Sequence, residues 1–310
     1  MPITVSTRAL IGKGKIGLRN RTKGGGLRYV GYTSEYTHAI ATDKKTLPNY
    51  ETAGGGNAEV LERVSSYTGS IKGHSFSAEN LALATRGNIV SESAAAVADE
   101  PHTAYSGTLI IFDHLPDLAA GITVTIDGSG LGARANTTAV ALGATIVEAG
   151  VIYQCTTAGT TAAAPPTFNT AVGATTTDGD VVWTSRGAVD MEDGTDYQLG
   201  KSGIEIPATA TRFASGLPIL VSYSQNAAAF VQLLTESQDE YEVVLDGLNE
   251  VDNGNPMPVR MFRVKFSPTS GLGFKTDDFA ELTLQFEALP DGSITGTGLS
   301  QYGTIGLPVV

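Results

Sequence analysis

A period-two alternation of apolar and polar side chains runs through the last third of the chain and restricts what it can fold into. In residues 281–287, Leu and Phe alternate with Glu, Thr and Gln, and similar alternation recurs in residues 239–247 and 259–266. Successive side chains of a β-strand point to opposite faces, so each segment has one apolar and one polar face. The three segments predict an antiparallel sheet with one buried face and one hydrated, charged face.

The composition extends the β prediction to most of the chain. The 310 residues leave room for two compact domains, and 37 of them are glycine, which suits short strands joined by many turns. Only 17% of the residues are charged, which is low and fits a surface covered by neighbouring copies. A weakly charged, glycine-rich sandwich is the alternative reading of the same composition.

One segment carries clear helix signals and predicts a helix over about residues 77–86. Ser77 is placed to accept a hydrogen bond from the free N–H groups of the first turn. Glu79 lies at the positive end of the helix dipole, and Gly87 is expected to end the helix in a left-handed turn. Upstream of the helix, residues 60–66 and 70–76 predict a hairpin that turns at Thr68-Gly69, after a loop over residues 43–56.

Positive charge is concentrated at the beginning of the chain. Residues 1–34 hold seven cations and no acid, so their net charge is +7. The remaining residues have a net charge of −19, which gives the whole chain its net charge of −12. Together with the glycines, this predicts an extended basic arm over residues 1–27 that docks on a neighbouring copy; a nucleic-acid arm is the weaker alternative. The candidate contact residues of this inter-subunit arm are Arg8, Lys13, Lys15, Arg19, Arg21 and Lys23.

The search for chemistry in the sequence returns no catalytic, cofactor or metal residues. GKGKIG at residues 12–17 matches a dinucleotide-binding pattern, but neither a strand before it nor a helix after it is indicated, and a flexible arm is favoured. The single cysteine, Cys155, cannot form an intramolecular disulfide. No signal peptide and no membrane span are indicated, so the chain is predicted to fold in a reducing cytoplasm. Because no catalytic motif is found, it is predicted to be a non-enzyme.

Residues 135–188 differ from their surroundings in composition. Ala and Thr dominate there, while aromatic and acidic residues become scarce. The flanking segments ITVTIDGSG and VDMEDGTDYQL look like one strand pair split by an insertion. We therefore expect a small inserted β domain over residues 135–188.

Three segments taken in order resemble the major tail tube proteins of tailed, long-tailed bacteriophages. They are the strand–strand–helix run ERVSSYTGSIKGHSFSAENLALATRGN, the stretch EDGTDYQLGKSGIEIP with SGLPILVSYS, and the segment EYEVVLDGLNEVDNGNPMPVRMFRVKFSPTSGLGFKTDDFAELTLQFEAL. The resemblance covers residues 28–134 and 189–305, and the corresponding domain is predicted to comprise 28–134 and 189–310.

The resemblance implies a fold and an assembly. The expected fold has two antiparallel sheets in a sandwich or partial barrel, with one flanking helix and the inserted domain on the outer surface. Six subunits are expected to form a ring, and rings to stack into a tube in the virion tail after assembly in the host cytoplasm. The implied partners are the tape measure, terminator and distal tail proteins, with double-stranded DNA passing through the tube without sequence reading.

A DNA channel should avoid strong basic contacts, because these bind phosphates by releasing counterions. Acids on the hydrated sheet faces are candidates for the channel wall, and outer solvent is their alternative environment. These candidates are Glu240, Glu242, Glu281 and Glu287. Arg263 and Lys265 lie on a hydrated face too, so the assignment requires cross-strand acids that neutralise them.

The insertion has a resemblance of its own. YQCTTAGTTAAAPPTFNTAVGATTTDGDVVWTSRG is similar to short repeats of phage tail and fibre proteins, and related modules in some hydrolases bind carbohydrate. Two roles are open for the aromatic residues of the insertion, Tyr153, Phe168 and Trp183. They either stack on a weakly bound glycan or form the core of the insertion, and the core is the favoured interpretation. A carbohydrate-binding adhesin or fibre-like protein is the alternative function.

Overall fold

The computed structural model describes residues 9–51, 53–129, 131–236 and 239–308. Half of the residues lie in strands and 5% are helical, with one α-helix and several antiparallel sheets. The prediction of a mostly β, sandwich-like fold with one helix is therefore confirmed.

Strands and the helix are numbered in chain order. The first group comprises β1 (Gly12–Asn20), β2 (Arg28–Tyr29), β3 (Thr33–Pro48), β4 (Asn57–Gly73), α1 (Ala78–Thr85) and β5 (Asn88–Glu92). The second comprises β6 (Ala95–Ala104), β7 (Leu109–Ile111), β8 (Ile122–Ile126), β9 (Ala139–Val140), β10 (Thr145–Glu148), β11 (Val151–Thr157), β12 (Gly159–Thr160), β13 (Thr175–Asp178), β14 (Val181–Ala188), β15 (Gln198–Leu199), β16 (Gly203–Glu205) and β17 (Leu217–Gln225). The last comprises β18 (Ala228–Gln232), β19 (Glu240–Asn249), β20 (Asn255–Pro256), β21 (Val259–Ser267), β22 (Leu282–Ala288) and β23 (Gly303–Ile305).

The described residues form two compact units. The first unit combines the chain before Ser91 with the chain after Ala228, and the second unit runs from Ser91 to Ala228. These bounds differ from those predicted at residues 134 and 189. The reason lies in the packing of the second unit, where buried residues on both sides of residue 134 share one hydrophobic core.

The first unit is built on one nine-stranded antiparallel sheet. Its strand order is β2-β1-β19-β21-β22-β4-β3, with β20 beside β19 and β23 beside β21. One face buries apolar side chains of five strands, β1, β4, β19, β21 and β22, together with Ala84 of α1. The alternation read in residues 281–287 appears as expected, because Leu282, Leu284 and Phe286 are buried while Glu287 is exposed.

Helix α1 begins as predicted and ends one residue earlier than the glycine suggested. The Ser77 side chain accepts a hydrogen bond from the Asn80 backbone N–H at 3.2 Å. The left-handed residue that ends the helix is Arg86, with φ 51°, and not Gly87. Gly87 is required for a different reason: a Cβ there would lie 2.4 Å from the Gln232 carbonyl oxygen. The prediction that Gly87 adopts the left-handed turn is wrong.

The predicted hairpin around Thr68-Gly69 is also wrong. Residues 57–73 form one continuous strand, β4, which pairs with β3 along its length. Gly69 serves close packing and not a turn, because a Cβ there would lie 2.3 Å from the Phe286 ring and 2.8 Å from the Thr37 carbonyl oxygen. The sequence predicts a loop over residues 43–56. Residues 43–48 instead form the last six residues of β3, and the turn to β4 follows them.

Gly69→Ala is expected to lower the free energy of unfolding by about 1–3 kcal/mol, because the new methyl group overpacks the core against Phe286. Gly54→Ala is the matched control, since nothing lies within 4 Å of a Cβ at that position. Urea unfolding of both variants checks the prediction. Equal midpoints for the two variants would contradict it.

The second unit contains three small sheets around one core, and a fourth, two-stranded sheet. The three-stranded sheets have the orders β6-β17-β8 and β15-β16-β7, and the four-stranded sheet β10-β11-β14-β13 lies within residues 135–188; β9 pairs with β12. Buried Ile152 of β11 belongs to the same core as Val124 of β8 and Val221 of β17. The inserted segment therefore has its own sheet and its own buried cluster, and it also contributes Ile152 to the core of the second unit.

Candidate assembly surface

The face of the nine-stranded sheet that points away from its core carries cross-strand ion pairs. We call it the open face. Glu242 on β19 is only 3% exposed and lies between the guanidinium groups of Arg19 on β1 and Arg260 on β21. Because both partners are cations, this buried carboxylate is compensated within the chain.

A second acid of β19 is paired in the same way. The Arg263 guanidinium donates to both Glu240 carboxylate oxygens, at 2.8 and 2.6 Å, and Lys265 lies 3.7 Å from one of them. The bidentate guanidinium holds the pKa of Glu240 below its usual value. The condition stated for Arg263 and Lys265, neutralisation by a cross-strand acid, is met by Glu240.

The other two wall candidates lie further along the same face. Glu287 is exposed on β22 and stands opposite Lys265. Glu281 precedes β22 and, after Glu35, contributes to raising the pKa of Lys72 on β4. The four acids thus share the open face, but cations alternate with them. The face is a nearly neutral mosaic and not an acidic wall.

The basic N-terminal residues are mostly used inside the chain. Arg21 donates to the Phe262 carbonyl oxygen and to Asp291, both at 2.6 Å. Hydrogen bonds from Ser293 and Arg21 lower the pKa of Asp291 to about 2. Lys23 lies 3.4 Å from Glu236 and 3.2 Å from Asp239. These contacts anchor residues 19–23 to strands more than 200 positions later in the chain.

The arm prediction is wrong for residues 12–20, because they form β1 and pair with β19 at every position from Gly12 to Asn20. The glycine at position 14 allows this pairing: a Cβ there would lie 2.3 Å from the Asp246 carbonyl oxygen. Lys13 and Lys15 remain exposed, with no ion pair in the described part of the chain. Arg8 lies outside the described residues.

The first unit exposes a long two-stranded ribbon, formed by residues 40–51 and 53–67. Strand β22 pairs with β4 only from Thr68 to Gly73, so residues 57–67 have β3 as their sole strand neighbour among the described strands. At about 3.3 Å per residue, the ribbon projects roughly 35 Å beyond β22. Its exposed apolar side chains are Ile40, Leu47, Tyr50, Val60, Leu61 and Val64.

Sequence reasoning missed this ribbon, although a signal was present. The paired residues are symmetric about position 53, and opposite charges face each other: Asp43 pairs with Arg63, and Lys44 with Glu62. Such cross-strand pairs stabilise an antiparallel ribbon. The glycine run 54–56 then marks its tip.

Both edges of the nine-stranded sheet have unpaired backbone groups. Strand β3 forms one edge over 16 residues and pairs only with β4. At the other edge, β2 covers β1 only at Gly17 and Leu18. Open edges of this length are templates for pairing with another chain.

In the insertion, the aromatic residues lie inside. Tyr153 and Trp183 are each 1% exposed and pack with Ile146, Cys155 and Val181, while Phe168 is half-buried against Tyr153 at a ring distance of 4.6 Å. The indole N–H of Trp183 donates to Asp178 at 3.1 Å. Neither ring face of the two buried residues is available for stacking on a ligand.

Asp178 is the polar centre of the insertion. It accepts two hydrogen bonds from the Arg134 guanidinium, both at 2.7 Å, and one from the Ala162 backbone N–H at 3.0 Å. The hydrogen bonds from the Arg134 guanidinium are the main reason why the pKa of Asp178 is below its usual value. Each Asp178 carboxylate oxygen accepts two hydrogen bonds in this closed network, which therefore has a structural role and leaves no free acceptor for a ligand.

The described residues offer neither a metal site nor a membrane-spanning helix. No group of three or more His, Cys, Asp or Glu side chains there could hold a metal ion. Nor does that part of the chain contain a helix long and apolar enough to cross a bilayer; α1 has eight residues.

The fold and this surface define a class of mostly β chains that expose a long ribbon beside an open, charge-paired sheet. The chain belongs to the family described as "Protein of unknown function UCP028589", whose model matches residues 9–177 and, overlapping them, residues 156–306. A comparison with curated proteins finds no match.

Proposed function

We propose that this chain is the structural subunit of a hollow homo-oligomeric tube, of the kind formed by phage tail tube proteins, through which double-stranded DNA passes. The observation that carries the proposal is the exposed ribbon together with the open sheet edges. An isolated two-stranded ribbon is at best marginally stable in water. A ribbon of this length, with apolar side chains on its surface, gains most from burial against a neighbouring copy.

The sheet edges supply a route to a closed ring. Strand β3 of one copy can pair with the open part of β1, residues 12–15, of the next copy. Closure of the ring removes both exposed edges at once, which a linear array cannot do. Six copies per ring and stacking of rings are carried over from the resemblance to tail tube proteins.

The open face suits a channel for DNA because its charges are paired across strands. Arg19 and Arg260 share Glu242, Arg263 and Lys265 share Glu240, and Glu287 stands opposite Lys265. A compensated face offers DNA phosphates few uncompensated cations, so counterion release contributes little to binding. We therefore assign this face to the tube lumen, which allows DNA to slide.

The alternative of a glycan-binding adhesin is not supported by a specific contact. Tyr153 and Trp183, which this alternative would need for stacking on a sugar, are buried in the core of the insertion. A structural role for the insertion, on the outside of the tube, is the proposal that we retain. The chain is accordingly proposed to act in the virion tail, with no catalytic activity of its own.

Negative-stain electron microscopy of the purified protein tests the proposal. We expect tubes or stacked rings with a central hole at high protein concentration, because burial of the ribbon and edges favours assembly. Sedimentation velocity over a range of concentrations provides an independent readout. A protein that stays monomeric at every concentration, and forms no hollow particle, would refute the proposed function.

A further inference from the structure

The first unit contains a cleft to which the proposed function assigns no role. It has a volume of about 390 Å³ and lies between α1, the loop at residues 23–28, and the residues Glu236, Asp239 and Tyr241. Its floor is apolar and includes Leu18, Ala82, Leu83 and Phe266. Two guanidinium groups, those of Arg28 and Arg86, stand on its walls.

Arg86 is unpaired at a place where pairing is expected. Its Nε is buried and has no hydrogen-bond acceptor, and its guanidinium forms no ion pair in the described part of the chain. Arg28 donates to the Asn80 amide oxygen at 2.8 Å and forms no ion pair among the described residues, although its charge helps to lower the pKa of Glu79. A partly buried, unpaired charge is costly, so this arrangement favours an incoming anion.

The acids around the cleft are already engaged. Glu236 and Asp239 both lie within 3.4 Å of Lys23. Backbone N–H groups at the start of α1 and the Ser77 hydroxyl hold the pKa of Glu79 below its usual value. None of these three carboxylates forms an ion pair with the Arg86 guanidinium.

A left-handed backbone conformation occurs at Arg86, which lines the cleft, and at Leu234, which is hydrogen-bonded to the end of α1. Arg86 has φ 51° and Leu234 has φ 58°, a left-handed conformation that is unfavourable for bulky side chains. Leu234 is also 75% exposed, and its N–H donates to the Thr85 carbonyl oxygen at 3.2 Å. Strain that the surrounding structure maintains is often found at binding sites.

A segment with complementary chemistry lies elsewhere on the same unit. Only two phenylalanines of the described chain are strongly exposed, Phe274 at 75% and Phe279 at 86%, and both lie in one loop. Between them are Asp277 and Asp278, which form no ion pair in the described part of the chain. The Phe279 N–H donates to the Asp278 carboxylate at 2.8 Å, which fixes the local shape of the loop.

We infer that the loop 274–279 of one copy docks in this cleft of a second copy. The carboxylates of Asp277 and Asp278 pair with Arg86 and Arg28, and Phe279 covers the apolar floor. Aromatic rings also stack favourably on guanidinium groups. The inference rests on the proposed function, since it names the contact that joins two subunits, and it identifies loop and cleft as a heterologous pair.

Charge reversal tests the contact. Arg86→Glu alone, and Asp277→Lys with Asp278→Lys, should each raise the concentration needed for assembly about tenfold or more, because like charges then face each other. A mixture of these two proteins should assemble again, since each supplies the charge that the other needs. Lys201→Glu, an exposed charge change in the second unit, is the matched control and should assemble normally.

Arg86→Gly separates docking from folding. Glycine relieves the left-handed backbone, so the melting temperature should not fall, yet assembly should weaken because the guanidinium is lost. Normal assembly of both reversal variants, with intact wild-type tubes, would overturn the docking inference and leave the proposed function standing. Rescue when both reversals are in one chain, but not by mixing, would assign the contact to a single copy and also overturn it. Absence of wild-type assembly would refute the proposed function itself.

Discussion

Replacing residues 42–65 with a two-residue Asn-Gly turn is expected to leave a folded monomer that no longer assembles. Ala41 and Ser66 stand opposite each other in the β3–β4 pair, so a short turn can connect them without changing the register. None of the removed residues belongs to the hydrophobic core of the first unit. The free energy of unfolding should therefore change by no more than about 1 kcal/mol, as for surface substitutions.

Assembly should be lost because the shortened protein lacks the exposed apolar side chains of the ribbon, which a neighbouring copy would bury. Thermal unfolding reports the fold, and sedimentation velocity with electron microscopy reports the assembly. Gly54→Ser is the matched control: it alters the tip, where nothing lies within 4 Å of a Cβ, but retains the ribbon. Normal tubes from the shortened protein would mean that the ribbon has no part in assembly.

Asp178→Ala is expected to unfold the four-stranded sheet of the insertion. The substitution leaves the Arg134 guanidinium, whose side chain is only 2% exposed, buried without its anion. Removing one partner of a buried pair costs about 3–5 kcal/mol. The indole N–H of Trp183 loses its acceptor at the same time.

Trp183 is the only tryptophan of the chain, so its fluorescence reports this sheet directly. We expect a shift to longer emission wavelengths and faster hydrogen exchange in β10, β11, β13 and β14. Asp180→Ala is the matched control, because Asp180 is an exposed acid two residues away. An emission spectrum and exchange pattern identical to the unaltered protein would show that the network does not stabilise the sheet.

The same network predicts the direction of a pH effect. The folded protein holds the pKa of Asp178 below the unfolded value, so its contribution is present above the unfolded pKa, about 3.9, and is lost as the pH falls through the folded pKa. Acid titration should therefore shift Trp183 fluorescence less in Asp178→Asn than in the unaltered protein, since the variant has lost the titrating group.

Several elements could be read from the sequence because their signals are local. The alternation in residues 281–287 determines which side chains of β22 are buried, whatever the neighbouring strands are. The Ser77 cap is likewise satisfied within one turn of helix. Residues 135–188 stood out by composition, and a four-stranded sheet lies within them.

Other features were misread because their causes are distant in sequence. Residues 12–23 read as a basic arm, since Glu242 and Asp291, which compensate Arg19 and Arg21, follow more than 200 residues later. Gly69 read as a turn, although the reason for glycine there is the ring of Phe286 on another strand. In both cases, the interpretation depended on a partner that local patterns do not identify.

The sequence by itself determined that the chain is mostly β, where its helix begins, and which strand faces carry charge, because these properties depend on the spacing of neighbouring side chains. Only the tertiary structure decided that the charges of the open face cancel across strands, that residues 12–20 are built into the sheet, and that residues 40–51 and 53–67 project as a ribbon. These depend on which strands become neighbours, and strand order is set by packing between segments that are far apart along the chain.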